Sequence, residues 1–335
     1  MIDYSRKYQF RLFLASCEIN YRACKDTPTK NWLCSFYYLR GMPKSKLEHF
    51  LKDAKYGLTR LGIEEERTMF LDSGAFSFQN AAGCIAGRTN KDVSELGAYP
   101  LLQYTLDYID FINEYGEYFD IIAEVDVDYI IGVRKTKYLY DRIKKDIKYK
   151  DRFIPVWHIP RGEEIWKNEC KNRYHGIEGQ TRHRDDPISF YNNMLKIAHA
   201  ENSKVHGFAL TALDLLHRVP MDSADSASWM LQAANGTVKT PFGTIAISDR
   251  SIMNGEVGDT LNYANLNTLQ RKEFEAYVTS KGFNVEELKH EWKSRAALNT
   301  YYYNWMEDKI NREWAYLNKK KVYQKNLFSS KQWHT

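Results

Sequence analysis

The sequence predicts an α/β fold, namely a (β/α)8 barrel of the TIM type with an added C-terminal helical segment. Short apolar runs end in polar residues, and helical stretches lie between these runs. In the middle of the chain the intervals between the runs fall to roughly 20 to 30 residues, which is the length of a βα unit. A doubly wound sheet would need a glycine-rich phosphate turn after its first strand, and the sequence has none there. We therefore expect a barrel, whose functional residues lie at the carboxyl ends of its strands.

Six apolar runs are typical of buried parallel strands. They are TMFLDSGAF (68–76), FDIIAEVDVD (119–128), RFIPVWHI (152–159), YHGIEGQ (174–180), KVHGFALT (204–211) and VPMDSADS (219–226). Helices are predicted over 101–116 and over 186–202, the second opening with an acid–proline start signal. The first 65 residues are expected to form the barrel entry, with a helical stretch over 43–62.

The expected domains are the barrel with its entry segment, 1–262, and a helical segment on or beside it, 263–335. That segment predicts two or three helices with a break at Gly282. From residue 309 onward it carries seven basic residues and one acid, interleaved with tryptophan and tyrosine. Such a mixture suits a phosphate backbone with bases to stack on. The candidate nucleic-acid contacts are Lys319, Lys320, Lys321 and Lys325. The alternative is a solvated helix with a frayed end.

Composition limits the other classes of protein. The net charge of +5 does not demand a polyanionic partner. The five cysteines form no CxxC pair, which argues against a disulfide framework and a zinc ribbon. Cys170, His175 and His183 are close enough in sequence to be considered as metal ligands, but we expect neither a metal nor a cofactor. No apolar run is long enough to span a membrane and no signal peptide is recognisable, so we expect a cytoplasmic protein.

Acids at predicted strand ends are the candidate chemical groups. Asp72 precedes small residues that would let a ligand approach the backbone, and the ring of Phe76 could lie against a flat base. A helix-capping role for Asp72 is the alternative. Asp126 and Asp128 share a predicted strand end, where a carboxylate can accept hydrogen bonds from the edge of guanine. A divalent metal there would need a third carboxylate, and none follows at a suitable spacing.

Two further acids, Asp222 and Asp225, lie in a stretch of small residues that ends at Trp229. A carboxylate that attacks an anomeric carbon needs a second acid nearby, as in retaining glycosidases. Asp72 and Asp126, from other strands, are the candidate partners. A purely structural turn rich in Asp and Ser is the alternative.

Together these motifs resemble the tRNA-guanine transglycosylase superfamily. The matching pieces are FLDSGAFSF, FDIIAEVDVD, PVWH, HGIEGQ, VHGFALT and DSADSASW followed by TPFGTIAISDR. They are most similar to the DNA-modifying branch, the 7-deazaguanine DNA transglycosylases of phages and some bacteria. The resemblance covers roughly residues 10 to 250 and is carried most strongly by LDSGAF and DSASW.

The resemblance implies a role for each matched residue. Asp225 takes the position of the nucleophile, Asp72 that of the general acid and base, and Asp126 that of the acid that recognises guanine. Asp222 is expected to form hydrogen bonds within its own turn. The other implied contacts to the base are Ser73, Gly74, Phe76, His158, Gly176, Gly179 and His206.

The implied function is exchange of guanine in DNA for a free 7-deazaguanine base such as preQ0, through a covalent aspartyl-deoxyribosyl intermediate. The target base would be flipped out of the stack. The zinc-binding cysteine cluster of the tRNA enzymes has no counterpart, because no cysteine follows Cys170. This argues for DNA over tRNA and leaves the oligomeric state open. A zinc-free tRNA-guanine transglycosylase, a DNA glycosylase and a non-catalytic nucleic-acid-binding barrel are the alternatives.

Overall fold

The computed structural model describes the backbone of residues 9–75, 77, 98–171, 173–179, 185–248 and 260–329. Side chains are described for the same residues except 98–100 and 318–329. The chain forms two compact units. One contains Val156–Asp225 with the two ends of the chain, up to Leu12 and from Met306; the other contains Phe13–Pro155 and Ser226–Trp305.

A parallel nine-stranded sheet confirms the expected α/β class and TIM-type barrel. Its strands are β1 (Arg11–Ala15), β2 (Asn31–Ser35), β3 (Thr68–Asp72), β4 (Ile121–Ala123), β5 (Phe153–Ile154), β6 (Val156–Trp157), β7 (Tyr174–Ile177), β8 (Lys204–Gly207) and β9 (Ser223–Ser226). The strand order is β5-β4-β3-β2-β1-β9-β8-β7-β6. Because β5 and β6 at its two ends are consecutive in the chain, this is the order of a nearly closed barrel.

The ninth strand arises where the predicted strand 152–159 is interrupted at Pro155. Strand β5 pairs with β4, whereas β6 pairs with β7. Proline has no amide hydrogen for a sheet ladder, so the run divides at this residue. The two segments together occupy one of the eight strand positions that the sequence predicts.

Strands β1 and β2 were not individually predicted within the entry segment. Every residue of β2 is buried, and four of the five in β1 are. Their signal in the sequence is the short apolar runs RLFLA and NWLCS, whose burial suits strands covered on both faces. Ser35, the last residue of β2, is the ladder partner of Asp72 at the end of β3.

Helices follow most of the strands. They are α1 (Tyr21–Cys24), α2 (Phe36–Leu39), α3 (Lys44–Arg60), α4 (Ala98–Tyr115), α5 (Asp128–Ile131), α6 (Val133–Asp146), α7 (Gly162–Glu169), α8 (Pro187–Ala200), α9 (Leu213–Arg218) and α10 (Ser228–Ala234). Short 3-10 turns cover Gly116–Tyr118, Ile159–Arg161 and Tyr263–Asn265. The predicted acid–proline start of α8 is confirmed, because the Asp186 side chain accepts a hydrogen bond from the Ser189 amide at 3.0 Å.

A small three-stranded sheet follows the barrel, and the sequence analysis did not anticipate it. It comprises β10 (Thr237–Thr240), β11 (Gly243–Ala246) and β12 (Thr260–Asn262). Its inner face packs in an apolar cluster that includes Val238, Ile245, Phe274 and Leu298. The hairpin between β10 and β11 carries the signal of alternating β-branched residues around a Pro-Phe-Gly turn.

The C-terminal segment is helical, as expected. Its helices are α11 (Thr268–Ser280), α12 (Val285–His290) and α13 (Trp292–Ser329). Gly282, the predicted break, has a φ of +81° and lies between α11 and α12. The predicted nucleic-acid contacts Lys319, Lys320, Lys321 and Lys325 lie on α13, beyond the last described side chain.

Candidate active site

Strand β9 turns its two candidate acids toward opposite faces. Asp222 directly precedes the strand and Asp225 lies within it, three residues further on. Side chains alternate along a strand, so residues an odd number apart point to opposite sides. Ser223 shares the face of Asp225, and Asp222 points away from it.

Asp222 has a structural role, which joins strand β8 and helix α8. Its Oδ2 accepts a hydrogen bond from the Val205 amide at 2.8 Å and lies 2.8 Å from Nε2 of His199 on helix α8. Both contacts join Asp222 to residues outside its own turn. The alternation of the strand directs the carboxylate outward, to the neighbouring strand and its covering helix.

Asp225 is a buried carboxylate anchored through one oxygen. The residue is 8 % exposed. Its Oδ1 accepts a hydrogen bond from the Ala209 amide at 2.8 Å and lies 3.3 Å from Nε2 of His206. No described residue donates a hydrogen bond to Oδ2. The side chain is thus oriented while one oxygen is left for another partner.

A chain of hydrogen bonds leads to Asp225 from strand β7. The Tyr174 hydroxyl contacts Ser223 Oγ, and Ser223 Oγ lies 2.6 Å from Nδ1 of His206. These four residues, Tyr174, Ser223, His206 and Asp225, are called the Asp225 cluster below. The two ring nitrogens of His206 thus have different partners, Ser223 at Nδ1 and Asp225 at Nε2.

Burial keeps the Tyr174 end of this chain protonated. The pKa of Tyr174 is raised chiefly because the phenol is removed from water. The phenol therefore stays neutral at neutral pH, and its contact with Ser223 joins two hydroxyl groups.

Two predicted base contacts, Gly176 and Gly179, have a packing role next to this cluster. A Cβ on Gly176 would lie 2.7 Å from the ring edge of Phe208, and a Cβ on Gly179 would lie 1.8 Å from the Phe208 carbonyl oxygen. The Phe208 ring packs edge-on against His206, with ring centroids 4.6 Å apart. Glycine at both positions thus admits the loop whose Ala209 amide holds Asp225.

His158 lies at the end of β6, close to a second acid. It is 7 % exposed and precedes the turn Ile159–Arg161. The Ile159 amide donates to Oε1 of Glu178 at 3.3 Å, and the Glu178 amide donates to the Trp157 carbonyl at 3.0 Å. Glu178 therefore belongs beside His158 at these strand ends, although the sequence analysis did not select it as a site residue.

The other candidate acids lie in the second compact unit. Asp72 ends β3, and its Oδ2 accepts a hydrogen bond from the Gly74 amide at 3.0 Å. Gly74 has a φ of +72°, and a Cβ there would lie 2.5 Å from the Cβ of Tyr37. Only glycine fits this turn without displacing its neighbours. The contact also agrees with the capping alternative for Asp72.

Asp126 is joined to the same turn. The Ser73 hydroxyl lies 3.2 Å from Oδ1 of Asp126, and the Tyr104 hydroxyl donates to the Ser73 carbonyl at 2.5 Å. We call Asp72, Ser73, Gly74 and Asp126 the Asp72 cluster. Burial raises the pKa of Tyr104, and the negative charge of Asp72 raises it further. Tyr104 therefore serves as a neutral donor that fixes the turn.

The pair Asp126 and Asp128 does not share a strand. Strand β4 ends at Ala123, and Asp128 begins helix α5. Asp128 is 3 % exposed. The two-residue spacing therefore does not place both carboxylates on one face, because the strand ends before either of them.

The suggested ligands Cys170, His175 and His183 do not form a site in the described part of the chain. His183 lies outside the described residues. Nε2 of His175 faces Glu169 at 3.4 Å, and the His175 ring packs against Trp166. Burial lowers the pKa of His175 and raises that of the Cys170 thiol to about 12. Within the described ranges no group of three His, Cys, Asp or Glu side chains is arranged to hold a metal ion.

Trp229 has the role of a core residue. It is fully buried, and its indole nitrogen donates to the Ala15 carbonyl at 2.9 Å. The Trp229 carbonyl in turn accepts from Asn299 at 2.8 Å. Phe76, which was expected to stack on the base, lies outside the described residues.

No protein-family model and no curated protein sequence matches this chain. Among the helices that are described, none combines the length and the hydropathy needed to cross a bilayer. The transglycosylase resemblance and the roles of its residues remain predictions.

Proposed function

We propose that this protein is a DNA-guanine transglycosylase that exchanges guanine for a 7-deazaguanine base such as preQ0. The observation that carries the proposal is the state of Asp225: one oxygen holds two contacts, and no described residue donates to the other. This arrangement suits a carboxylate that must attack along one direction. The motifs that resemble the superfamily supply the substrate class.

In the first step of the proposed reaction, Oδ2 of Asp225 attacks C1′ of a flipped-out deoxyguanosine. The C1′–N9 bond breaks as the C1′–oxygen bond forms, and its electron pair leaves with the base. A proton from Asp72 neutralises the departing guanine. His206 steadies Asp225 through Oδ1, which takes no part in the new bond.

In the second step a free 7-deazaguanine occupies the place of guanine. The ionised Asp72 removes the proton from N9 of the new base, N9 attacks C1′, and the bond from C1′ to Asp225 breaks. Asp126 is proposed to accept the N1–H and the exocyclic amine of either base. The exchange needs no redox equivalent, because one glycosidic bond replaces another.

The proposal is tested by incubating the protein with radiolabelled guanine or preQ0 and with guanine-containing DNA or tRNA. We expect label to enter DNA only. Asp225→Asn should abolish incorporation because it removes the nucleophile. Asp222→Asn is the matched control, since it alters a buried acid three residues away that holds the strand and helix.

Each other outcome excludes a part of the proposal. Label in tRNA alone would identify the zinc-free tRNA enzyme. Abasic sites without incorporated label would identify a glycosylase. Binding of DNA without incorporation or strand damage would leave a non-catalytic barrel. Full activity of Asp225→Asn would remove the assigned nucleophile.

A further inference from the structure

A cavity of about 330 Å³ lies in the unit formed by Phe13–Pro155 and Ser226–Trp305. Its walls come from the segment after β1, the first turn of α3 and the first turn of α13. Ligand-binding cavities in proteins begin at about 300 Å³, so this one has room for a small ligand. The lining residues used here are Glu18, Tyr21, Arg22, Lys46, Trp292 and Lys293.

Three cations line the cavity, and the one acid in its lining, Glu18, forms no salt bridge with them. Arg22, Lys46 and Lys293 are exposed, and none forms a salt bridge with any described residue. By contrast, Lys44 on the same helix as Lys46 lies 2.7 Å from Glu114. Three exposed cations in one lining that form no salt bridge favour a ligand that carries negative charge.

Two half-buried aromatic rings accompany the cations. Tyr21 packs edge-on against Phe50, with ring centroids 5.5 Å apart, which fixes its orientation. Trp292 begins helix α13. Aromatic rings next to Lys and Arg are the combination that proteins use to bind a base and its phosphate.

Glu18 adds a polar group in need of a donor. It is 4 % exposed, and Oε1 accepts from the Ser35 amide at 3.3 Å. Oε2 is buried, and no donor among the described residues reaches it with the geometry of a hydrogen bond. Burial raises the pKa of Glu18 to about 7, while the Ser35 amide and the Cys34 thiol oppose that rise. A ligand amino group would satisfy the oxygen.

We propose that this cavity binds a single nucleotide, with the phosphate on Arg22, Lys46 and Lys293 and the base against Tyr21 and Trp292. The site is distinct from the two acid clusters described above. Glu18, a buried residue of the lining, accepts from an amino group of the base.

The location favours a nucleotide within a DNA strand over a free one. The Ser35 amide that binds Glu18 belongs to the residue whose ladder partner is Asp72. The cavity therefore adjoins the strand ends that carry the Asp72 cluster. If the chain acts on DNA as proposed, a base beside the target could be held there. Nucleotide binding itself does not depend on the base exchange.

The test is calorimetric titration of the full chain with dAMP, deoxyadenosine and inorganic phosphate. We expect dAMP to bind at least about tenfold more tightly than either fragment, because base and phosphate contribute together. Lys46→Glu and Lys293→Glu should each weaken dAMP binding about tenfold or more. Lys52→Glu, an equal charge change on an exposed residue of helix α3, should change it less than about twofold.

The remaining outcomes decide the source and the validity of the site. Displacement of dAMP by a short single strand of DNA, blocked by Lys46→Glu, would identify a strand nucleotide; failure to displace it would identify a free nucleotide. The proposal is overturned if dAMP does not bind, if it binds no better than phosphate, or if Lys46→Glu and Lys52→Glu behave alike. Failure of base exchange with intact dAMP binding would count only against the proposed function.

Discussion

Replacing Gly179 by alanine should displace the loop that holds Asp225. The new Cβ would lie 1.8 Å from the Phe208 carbonyl oxygen and 3.0 Å from its carbon. Real Cβ atoms essentially never approach a backbone oxygen closer than 3.0 Å, so this oxygen must move by at least about 1.2 Å. The Phe208 carbonyl and the Ala209 amide belong to one planar peptide group and move together.

The size of the effect follows from the hydrogen bond that this peptide makes. The Ala209 amide lies 2.8 Å from Oδ1 of Asp225, and a shift of about 1 Å along the bond ends it. A hydrogen bond to a charged group contributes about 1.5–3 kcal/mol to stability. Misplacing a reacting group by about 1 Å lowers a rate about a hundredfold. We therefore expect Gly179→Ala to lose about 2 kcal/mol of stability and about 99 % of base-exchange activity.

Stability is measured by urea unfolding, and activity by incorporation of label into DNA. Gly176→Ala is the matched control, three residues earlier on the same segment. Its Cβ would meet the Phe208 ring edge at 2.7 Å, Val156 Cγ2 at 3.1 Å and Val156 Cα at 3.3 Å, so its one contact below 3.0 Å is with a ring that can tilt. The fold decrease in its rate should be less than about a tenth of the fold decrease caused by Gly179→Ala. Equal effects of the two variants on stability and rate, or an unaffected Gly179→Ala, would refute this account of the loop.

Three further predictions concern single side chains. Glu18→Gln should remove a pH dependence of the free energy of unfolding. Because ionising the buried Glu18 opposes folding, wild-type stability should fall by about 3 kcal/mol as the pH rises from about 4.5 to about 7. In urea unfolding the variant should therefore be more stable than the wild type at pH 8 but not at pH 4.5, and parallel pH profiles of the two proteins would contradict this. Gly74→Ala should lower the free energy of unfolding by about 3 kcal/mol, through crowding and left-handed backbone strain. Gly62 also has a positive φ, +77°, but open space around it, so Gly62→Ala should lower it by only about 1 kcal/mol. Equal losses in urea unfolding would show that crowding is unimportant. Asp222→Ala should lower the free energy of unfolding by about 2 kcal/mol, because it leaves the buried Val205 amide without this acceptor, and Asp222→Asn should lower it by less than about 1 kcal/mol. An alanine variant as stable as the wild type would show that the amide finds another acceptor.

The barrel could be predicted because its strands and helices have different periods in the sequence. Apolar runs of strand length alternate with amphipathic stretches, and start signals such as Asp186 are local. The interruption at Pro155 was also readable, since proline cannot continue a ladder. The small sheet was missed because β12 pairs with β11 across residues that carry no local signal for that contact.

The candidate acids could be found individually, but their partners could not. The link from Tyr174 to His206 through Ser223 depends on the register of three parallel strands, in which His206 is the ladder partner of both Gly176 and Ser223. Register is set by tertiary packing and not by sequence spacing. The alternation of side chains along a strand, in contrast, can be read from the sequence: it places Ser223 and Asp225 on one face and Asp222 on the other.

The identity of the nucleophile is tested most directly by trapping the covalent intermediate. Guanine-containing DNA is incubated with the protein without an incoming base, the mixture is denatured, and the modified peptide is located by mass spectrometry. The account predicts a deoxyribosyl adduct on the peptide that contains Asp225, absent in Asp225→Asn and retained in Asp222→Asn. An adduct on the peptide that contains Asp72, or one that persists in Asp225→Asn, would contradict it.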